Sequence, residues 1–219
     1  MNLVFATGNR GKLREASEIL GKGFELVTPA DRGLREEIPE TGSTLRANSY
    51  MKARYIYDKL NCDCFADDTG LEAEILGGAP GVMTARFAGE PQDTKKNIIK
   101  LLTDMSEHQF EASRAREYGL DMNHATRRAC FRTVVTLILN GEQYFFDGVL
   151  EGRIALRECG EAGFGYDPVF IPDEIPGEDG ALVPNAQCLT LAQISEDAKN
   201  QISHRGKAMR AMAEFLQNR

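Results

Sequence analysis

The sequence predicts a mixed α/β protein, in which helices flank a sheet that contains both parallel and antiparallel strands. Strand-like and helix-like segments alternate along the 219 residues, a pattern typical of α/β proteins. Two β-rich runs, 131–139 and 142–150, flank Asn140-Gly141, the preferred pair for a two-residue hairpin turn. Because a hairpin pairs its strands antiparallel, an all-parallel sheet is not expected.

Helical and strand patterns recur through the rest of the chain. Apolar residues at helical spacing predict four helices, over residues 11–20, 43–60, 93–105 and 208–216. The second of these helices begins among threonine and serine hydroxyls that can cap its first turn. Short apolar runs predict two further strands, 2–7 and 64–66, and the latter runs into Asp67-Asp68-Thr69-Gly70.

Composition narrows the classes of function. Hydrophobic residues make up 42% of the chain, and no apolar stretch is long enough to cross a bilayer. The net charge of −7 argues against nucleic-acid binding, which requires a basic surface. The first residues lack the pattern of a signal peptide, and the five cysteines show no zinc-site spacing. We therefore expect one cytoplasmic domain over residues 1–219 that binds neither nucleic acid nor membranes.

The segment Ala6-Thr7-Gly8-Asn9-Arg10-Gly11-Lys12 joins a strand to a helix and is suited to bind an anion. Its glycines allow backbone N–H groups to approach phosphate, the helix N-terminus favours negative charge, and Lys12 adds a full positive charge. It is not a Walker A loop, because Ala6 and Leu13 stand where that motif needs glycine and a hydroxyl residue. A glycine-rich turn with an exposed lysine is the alternative interpretation.

Two adjacent carboxylates, Asp67 and Asp68, follow the short strand at 64–66. Mg²⁺ prefers oxygen ligands of this kind. Because successive strand residues point to opposite faces, one acid can bind metal while the other braces the loop. The alternative is an acidic turn whose carboxylates cap backbone N–H groups, which is a common use of such a pair.

The loop over residues 160–168 places Phe164 and Tyr166 among three glycines. Either ring can stack on a nucleotide base, and Asp167 or the free backbone can read the edge of that base. A turn that carries two core aromatics explains the same composition equally well.

A basic cluster, Lys199 followed by Ser203-His204-Arg205-Gly206-Lys207, stands at the entrance of the C-terminal helix. Cations at this end oppose the helix dipole, so an anionic partner is indicated. A solvated basic face is the alternative.

Together these segments resemble the inosine/xanthosine triphosphate pyrophosphatases, enzymes that remove deaminated purine nucleotides. The matching segments, in the family's order, are ATGNRGK (6–12), ETGSTLRANSYMKAR (40–54), ADDTGLEAEILGGAPGVMTARFAGE (66–90), GFGYDP (163–168) and SHRGKA (203–208). The resemblance implies a mixed α/β sheet between two lobes, with the active site in the cleft, and a homodimer. It also implies Mg²⁺-dependent hydrolysis of ITP, dITP and XTP to the monophosphate and pyrophosphate.

The family's site residues can be assigned to the matching positions of this chain. The resemblance implies that the triphosphate is held by Thr7, Gly8, Asn9, Arg10, Gly11 and Lys12, with a further contact from Lys52. Asp68 would be the catalytic carboxylate and a magnesium ligand, with Glu40 as a second ligand. Thr69 would keep the hydroxyl of the family's serine. The base pocket would be formed by Phe164, Gly165, Tyr166, Asp167, Lys199, His204 and Arg205.

Three departures from the family pattern keep other interpretations open. Ala47 stands where the family carries a glutamate, and residues 189–194 lose one cation and one anion of the usual run. Residues 106–128 and 172–187 are expected to form longer loops than usual. One alternative is a related pyrophosphatase for modified pyrimidine or methylated nucleotides. The other is a non-catalytic nucleotide-binding regulator, which the missing acid at position 47 would favour.

Overall fold

The computed structural model describes residues 1–117 and 127–219, with side chains for 1–114 and 127–219. Its helices and strands are, in chain order, β1 (Asn2–Phe5), α1 (Arg10–Leu20), β2 (Glu25–Val27), α2 (Leu45–Leu60), β3 (Cys64–Ala73), β4 (Pro80–Gly81), α3 (Thr94–Glu117), β5 (Arg128–Leu139), β6 (Glu142–Ile154), β7 (Phe170–Pro172), β8 (Glu174–Pro176), β9 (Leu182–Pro184), α4 (Glu196–Ile202) and α5 (His204–Gln217).

The main sheet is mixed, as the sequence predicted. Its strands follow the order β2-β1-β3-β5-β6-β7, and β4 pairs with β3. Strand β1 pairs parallel with β2 and β3, with Val4 opposite Val27 and Cys64. Strands β4 and β7 pair antiparallel with β3 and β6. Strands β8 and β9 form a separate antiparallel pair.

The chain divides into two compact units. The first unit comprises Met1–Thr69, Arg132–Val149 and Ser203–Arg219, and the second comprises Gly70–Phe131 and Leu150–Ile202. In the first unit, alternation along β1 sends Leu3 and Phe5 toward α1 and α5, and Val4 toward α2. Both faces of these strands are therefore covered by helices.

The second unit has its own apolar core. Helix α3 contributes Ile98, Leu101 and Met105, which pack with strand residues such as Leu71 and Phe170. All five of these side chains are buried. The three helix positions recur at spacings of three and four residues, so they share one face of α3.

Local signals placed several elements correctly. Thr44 caps α2, and its hydroxyl accepts a hydrogen bond from the Ala47 N–H at 3.1 Å. Asn140 and Gly141 both have positive φ, at 51° and 84°, as a type I′ hairpin turn requires. None of the helices among the described residues is long and apolar enough to span a membrane.

Several boundaries predicted from the sequence were wrong, and the predicted strand 2–7 ends at Phe5. The strand at 64–66 continues to Ala73, because the side chains after the aspartates keep alternating, with Leu71 and Ala73 buried on one face. The loop expected at 106–128 is helical up to Glu117, since neither glycine nor proline interrupts α3 and Ala112 extends its buried face. Residues 118–126 lie outside the described residues. The other expected loop, 172–187, contains β8 and β9.

Candidate active site

Asp67 and Asp68 are consecutive residues inside β3, so their side chains point to opposite faces of the strand. Asp67 is almost fully buried, with 2% of its side chain exposed. Its carboxylate accepts hydrogen bonds from Lys12 Nζ at 2.8 and 3.0 Å and from Arg205 Nε at 3.2 Å. Two cations therefore neutralise one buried acid.

The charges around Asp67 keep it ionised. Burial raises the pKa of this carboxyl, but the nearby Lys12 and Arg205 charges outweigh burial and hold the pKa well below its ordinary value. Arg205 also contacts Glu15 Oε2 at 3.3 Å. Asp67 thus anchors the start of α1 and the start of α5 to the middle of β3, which fits a bracing role.

Asp68 lies in a different electrostatic setting. Its Oδ1 accepts from Lys52 Nζ at 3.1 Å and its Oδ2 from Asn48 Nδ2 at 3.3 Å. The same Lys52 Nζ contacts Glu40 Oε1 at 3.1 Å. Burial raises the pKa of Asp68 more than Lys52 and Asn48 lower it, and the Glu40 charge adds to the rise. Asp68 is therefore the more basic of the two acids.

Lys52 is the cation that holds Glu40 and Asp68 together. Burial lowers the pKa of Lys52, but the charges of Asp68, Asp67 and Glu40 outweigh this, and the pKa lies above its ordinary value. The ammonium group is therefore charged, and it offsets part of the repulsion between the two carboxylates.

The oxygen ligands around Lys52 suit a hard cation whose remaining ligands come from a bound substrate. Glu40 and Asp68 supply carboxylate oxygens, and Mg²⁺ is commonly held by one or two carboxylates together with substrate phosphates. Across the described residues, no group of three His, Cys, Asp or Glu side chains could hold a metal by itself. These two acids therefore suit a metal that arrives with phosphate oxygens, and not a closed protein cage.

The N-terminal loop differs from the predicted backbone cradle. Asn9 caps α1, and its Oδ1 accepts from the N–H groups of Gly11 at 2.8 Å and Lys12 at 3.2 Å. Thr7 Oγ1 in turn accepts from the Asn9 N–H at 3.1 Å. Two of the first-turn donors are thus occupied by the Asn9 side chain, at the place predicted for an anion. Arg10 remains exposed, 3.9 Å from Asp31.

In the loop at 163–167, the two aromatic residues that the sequence analysis treated alike have different environments. Phe164 is 71% exposed, and Lys199 Nζ lies 4.4 Å from the centre of its ring. The ring of Tyr166 is buried, and its hydroxyl donates to the Thr84 carbonyl at 3.0 Å. Stacking on a base is therefore open to Phe164, whereas the expectation for the Tyr166 ring was wrong because that ring packs in the core.

Asp167 organises this loop from inside the second unit. Its Oδ2 accepts from the Phe164 N–H at 2.8 Å and from Lys199 Nζ. A Cβ on Gly163 would lie 2.2 Å from the same oxygen, and Gly163 has a positive φ of 81°. Only glycine fits there, because the carboxylate passes directly over the backbone.

The basic cluster predicted at the C-terminal helix is divided in the structure. Lys199 belongs to α4 and contacts Asp167, whereas Arg205 belongs to α5 and contacts Asp67. Lys207 donates to the Val149 carbonyl at 2.8 Å. The expectation of three cations grouped at one helix entrance was therefore wrong, because the break between α4 and α5 separates them.

Comparison with known proteins decides the family. The sequence profile of the Ham1 family matches residues 3–215. The chain belongs to the Ham1 family. It is 42% identical over 214 residues to the dITP/XTP pyrophosphatase of Porphyromonas gingivalis, covering 98% of this chain and 96% of that protein. It is 39% identical over 218 residues to the dITP/XTP pyrophosphatase of Flavobacterium psychrophilum, covering 100% of both chains.

A solved structure agrees with the fold of this Ham1-family chain. The HAM1 protein from Coxiella burnetii superimposes with a TM-score of 0.83 at 29% identity, and the match covers 100% of both chains. The resemblance inferred from motifs is thus confirmed at the level of family and fold.

Several residues of the candidate site escaped the sequence analysis. Asn48 bonds Asp68, Glu15 bonds Arg205, and Thr133 bonds both Thr69 and His204. Only Asn48 lay in a motif, because the others reach the site through contacts between distant parts of the chain. Gly148 could have been identified from the sequence, since a glycine inside a strand pattern indicates a close backbone approach. A Cβ on Gly148 would lie 2.0 Å from the His204 carbonyl oxygen.

Proposed function

We propose that this Ham1-family chain hydrolyses the non-standard purine nucleotides ITP, dITP and XTP to the nucleoside monophosphate and pyrophosphate, with Mg²⁺ as cofactor. The observation that carries the proposal is the unequal environment of two consecutive acids. Asp67 is buried and neutralised by Lys12 and Arg205, while Asp68 shares Lys52 with Glu40 and has a raised pKa. Full-length similarity to relatives named dITP/XTP pyrophosphatases supports the same reaction.

The first unit supplies the groups for the phosphates in this proposal. Lys12 keeps 26% of its side chain exposed although it contacts Asp67, so its ammonium can also face an anion. Arg10 and Lys52, which belong to the same unit, add positive charge. The proposed triphosphate contacts are Thr7, Gly8, Asn9, Arg10, Gly11, Lys12, Lys52 and Thr69. For the first-turn N–H groups to join them, the Asn9 side chain must release its cap bonds.

Asp68 acts on the attacking water in the proposed mechanism. Its carboxylate accepts a proton as the water oxygen forms a bond to the α-phosphorus, and the bond from that phosphorus to the oxygen of the leaving pyrophosphate breaks. Asn48 and Lys52 fix the orientation of the Asp68 carboxylate through one oxygen each. Glu40 and Asp68 would hold Mg²⁺, which when bound supplies positive charge to the phosphate oxygens.

Base recognition in this proposal uses donors and an exposed ring. Phe164 offers its exposed face for stacking. By the family resemblance, Lys199, His204 and Arg205 would offer hydrogen-bond donors. Asp167 fixes Lys199, and Gly165 and Tyr166 shape the backbone of the loop. Hypoxanthine and xanthine carry a keto group at C6, which accepts hydrogen bonds. Adenine carries an amino group there, so a donor would face a donor and ATP is rejected.

The test is a pyrophosphate-release assay with Mg²⁺ that compares ITP, dITP and XTP with ATP, GTP and dUTP. We expect clear preference for the first three nucleotides over ATP, and a loss of activity of about 10²–10⁴-fold in Asp68→Asn, the usual size of a lost acid–base contribution. Asp58→Asn is the matched control, because Asp58 also pairs with a cation but lies on the surface of α2. Preference for dUTP would favour the pyrimidine alternative, and full activity in Asp68→Asn would remove its assigned role.

We further infer that residues 1–219 act as one catalytic domain, that the chain forms a homodimer, and that it works in the cytoplasm. The homodimer rests on the family resemblance. Light scattering coupled to size-exclusion chromatography tests the dimer, with a mass of twice 24.2 kDa as the expected result. A mass equal to that of one chain at micromolar concentration would contradict it.

A further inference from the structure

One ammonium group contacts both acids that are proposed to hold Mg²⁺. Lys52 Nζ lies 3.1 Å from Glu40 Oε1 and 3.1 Å from Asp68 Oδ1. The side chains of Lys52 and Asp68 are only 8% and 13% exposed, so water screens this contact poorly. In the protein without ligands, Lys52 therefore neutralises the same two carboxylates that a metal ion would use.

The charges of these three side chains decide how a metal ion can enter. Two carboxylates and one ammonium leave the group with one net negative charge. A bare dication would reverse this to a net positive charge, with the ion and the ammonium close to the same oxygens, and like charges repel strongly where water is scarce. A dication that arrives with the negative charges of a triphosphate does not create this excess.

Lys52 is the member of the group that can move. Asp68 lies within β3, and its Oδ2 accepts from Asn48 Nδ2 at 3.3 Å. The Asn48 amide is itself held, because its Oδ1 accepts from the Gly42 N–H at 2.7 Å. Lysine, in contrast, carries its charge on a flexible stem of four carbons. An exchange of cations at this site should therefore displace the ammonium and leave the Asp68 carboxylate in place.

We propose that Lys52 competes with the metal ion inside the free protein. Its ammonium pairs with Glu40 and Asp68 until Mg²⁺ enters together with a nucleotide, and it then moves to contact the phosphates. The proposal rests on the proposed function, in which these two acids bind Mg²⁺ and Lys52 contacts the triphosphate. Its consequence is that the protein binds the metal tightly only when nucleotide is present.

The direct test measures the binding of Mn²⁺, a spectroscopic substitute for Mg²⁺, to the full chain without nucleotide. The electron paramagnetic resonance signal of free Mn²⁺ gives the Kd. We expect Lys52→Gln to bind Mn²⁺ at least about tenfold more tightly than the wild type, because a positive charge beside the ion is lost. Lys52→Arg keeps the charge and should bind Mn²⁺ like the wild type. An unchanged or weaker affinity in folded Lys52→Gln would overturn the proposal.

Two further variants locate the gained affinity. Lys59→Gln is the matched control, because Lys59 is also a lysine of α2 paired with a glutamate, Glu36, at 3.2 Å, but its side chain is 47% exposed. Its Mn²⁺ affinity should equal that of the wild type. Adding Glu40→Gln to Lys52→Gln should abolish the gain. A gain that persists in this double variant would place the ion elsewhere and contradict the proposal.

The wild-type protein supplies a second test that does not depend on a neutral variant folding. A Kd for Mn²⁺ of about 1 µM or below without nucleotide would overturn the proposal. The ¹³C signal of the Lys52 Cε, assigned by its absence in Lys52→Arg, should change when Mg²⁺ and α,β-methylene-ITP are added together, and stay in place with Mg²⁺ alone. A signal that is the same in every state, or that changes equally with Mg²⁺ alone, would contradict the exchange.

Failure of this proposal is distinguishable from failure of the proposed function. If the wild-type protein releases no pyrophosphate from ITP, dITP or XTP, the proposed function fails, while the Mn²⁺ titrations still decide whether Lys52 opposes the metal. If the protein hydrolyses these nucleotides but Lys52→Gln gains no Mn²⁺ affinity, the proposed function stands and Lys52 is a fixed brace between the two acids.

Discussion

The ionic cluster of the first unit and the aromatic loop of the second unit are built in opposite ways. Asp67 is 2% exposed at the side chain and held by two cations, whereas Phe164 is 71% exposed and held at its backbone. The cluster is fixed by charge pairs in a poorly hydrated setting, where an unpaired charge is costly. The loop keeps an apolar ring in solvent, and a ligand that covers this ring gains the free energy of burying apolar surface.

This difference indicates that the ionic cluster contributes mainly to stability and the aromatic loop mainly to ligand recognition. Changes in the ionic cluster should act first on folding, because they leave buried charges unpaired. Changes at the exposed ring should act on substrate binding and leave folding unaffected. The four predictions below test this separation, and they run from the largest expected effect to the smallest.

Asp67→Asn should destabilise the protein by about 3 kcal/mol, because Lys12 and Arg205 lose the charge that compensates their burial. Equilibrium urea unfolding monitored by circular dichroism measures the change. Asp68→Asn should cost much less, since burial already disfavours the charged form of that carboxyl and raises its pKa. Equal losses in the two variants would contradict the distinction between the two acids.

Gly148→Ala should destabilise the protein by about 2 kcal/mol, the usual cost of overpacking. The new Cβ would lie 2.0 Å from the His204 carbonyl oxygen and 2.6 Å from the Ala208 nitrogen, so the first turns of α5 must move. Gly177→Ala is the matched control, because a Cβ there meets its nearest atom at 3.4 Å. A melting temperature of Gly148→Ala equal to that of the control would show that α5 does not rest on this glycine.

Sequence patterns predicted the elements whose causes are local. The Thr44 cap, the Asn140-Gly141 turn and the helical face of α3 each depend on residues within a few positions of one another. The motifs also selected the acids of β3 and the loop that carries Phe164 and Tyr166. These features could be predicted because the residue type itself carries the geometry.

The remaining features depend on contacts between distant parts of the chain. Thr133 and His204 lie 71 residues apart in sequence, and nothing in the run FRTVVTLIL distinguishes Thr133 from Thr136. The Tyr166 hydroxyl bonds the Thr84 carbonyl, 82 residues away. The assignment of Lys199 and Arg205 to different acids depends on the break between α4 and α5. Sequence spacing carries no information about such partners.

Phe164→Ala should raise KM for ITP about tenfold, since stacking of a base on an aromatic ring contributes about 1–3 kcal/mol. Its melting temperature should stay at the wild-type value, because the ring is exposed. Phe110→Ala is the control, as Phe110 is also an exposed ring beside a cation, Arg114, with 64% of its surface exposed. Tyr166→Phe should leave KM unchanged. A KM effect confined to Tyr166→Phe would reverse the roles of the two aromatic residues.

The smallest expected effect is on the pH dependence of stability, through the buried thiol of Cys64. Burial raises the pKa of Cys64 in β3 to about 12, while an unfolded cysteine titrates near pH 8.5. As the pH rises above about 8.5, the unfolded chain loses this proton and the folded chain keeps it, so stability falls. At about pH 9.5 the contribution should be about 1 kcal/mol. Urea unfolding at pH 7.5 and 9.5 should therefore show a smaller loss in Cys64→Ala than in wild type or in Cys188→Ala, whose thiol is exposed. Identical pH dependence in the three proteins would mean that the Cys64 thiol ionises as readily in the folded chain as in the unfolded one.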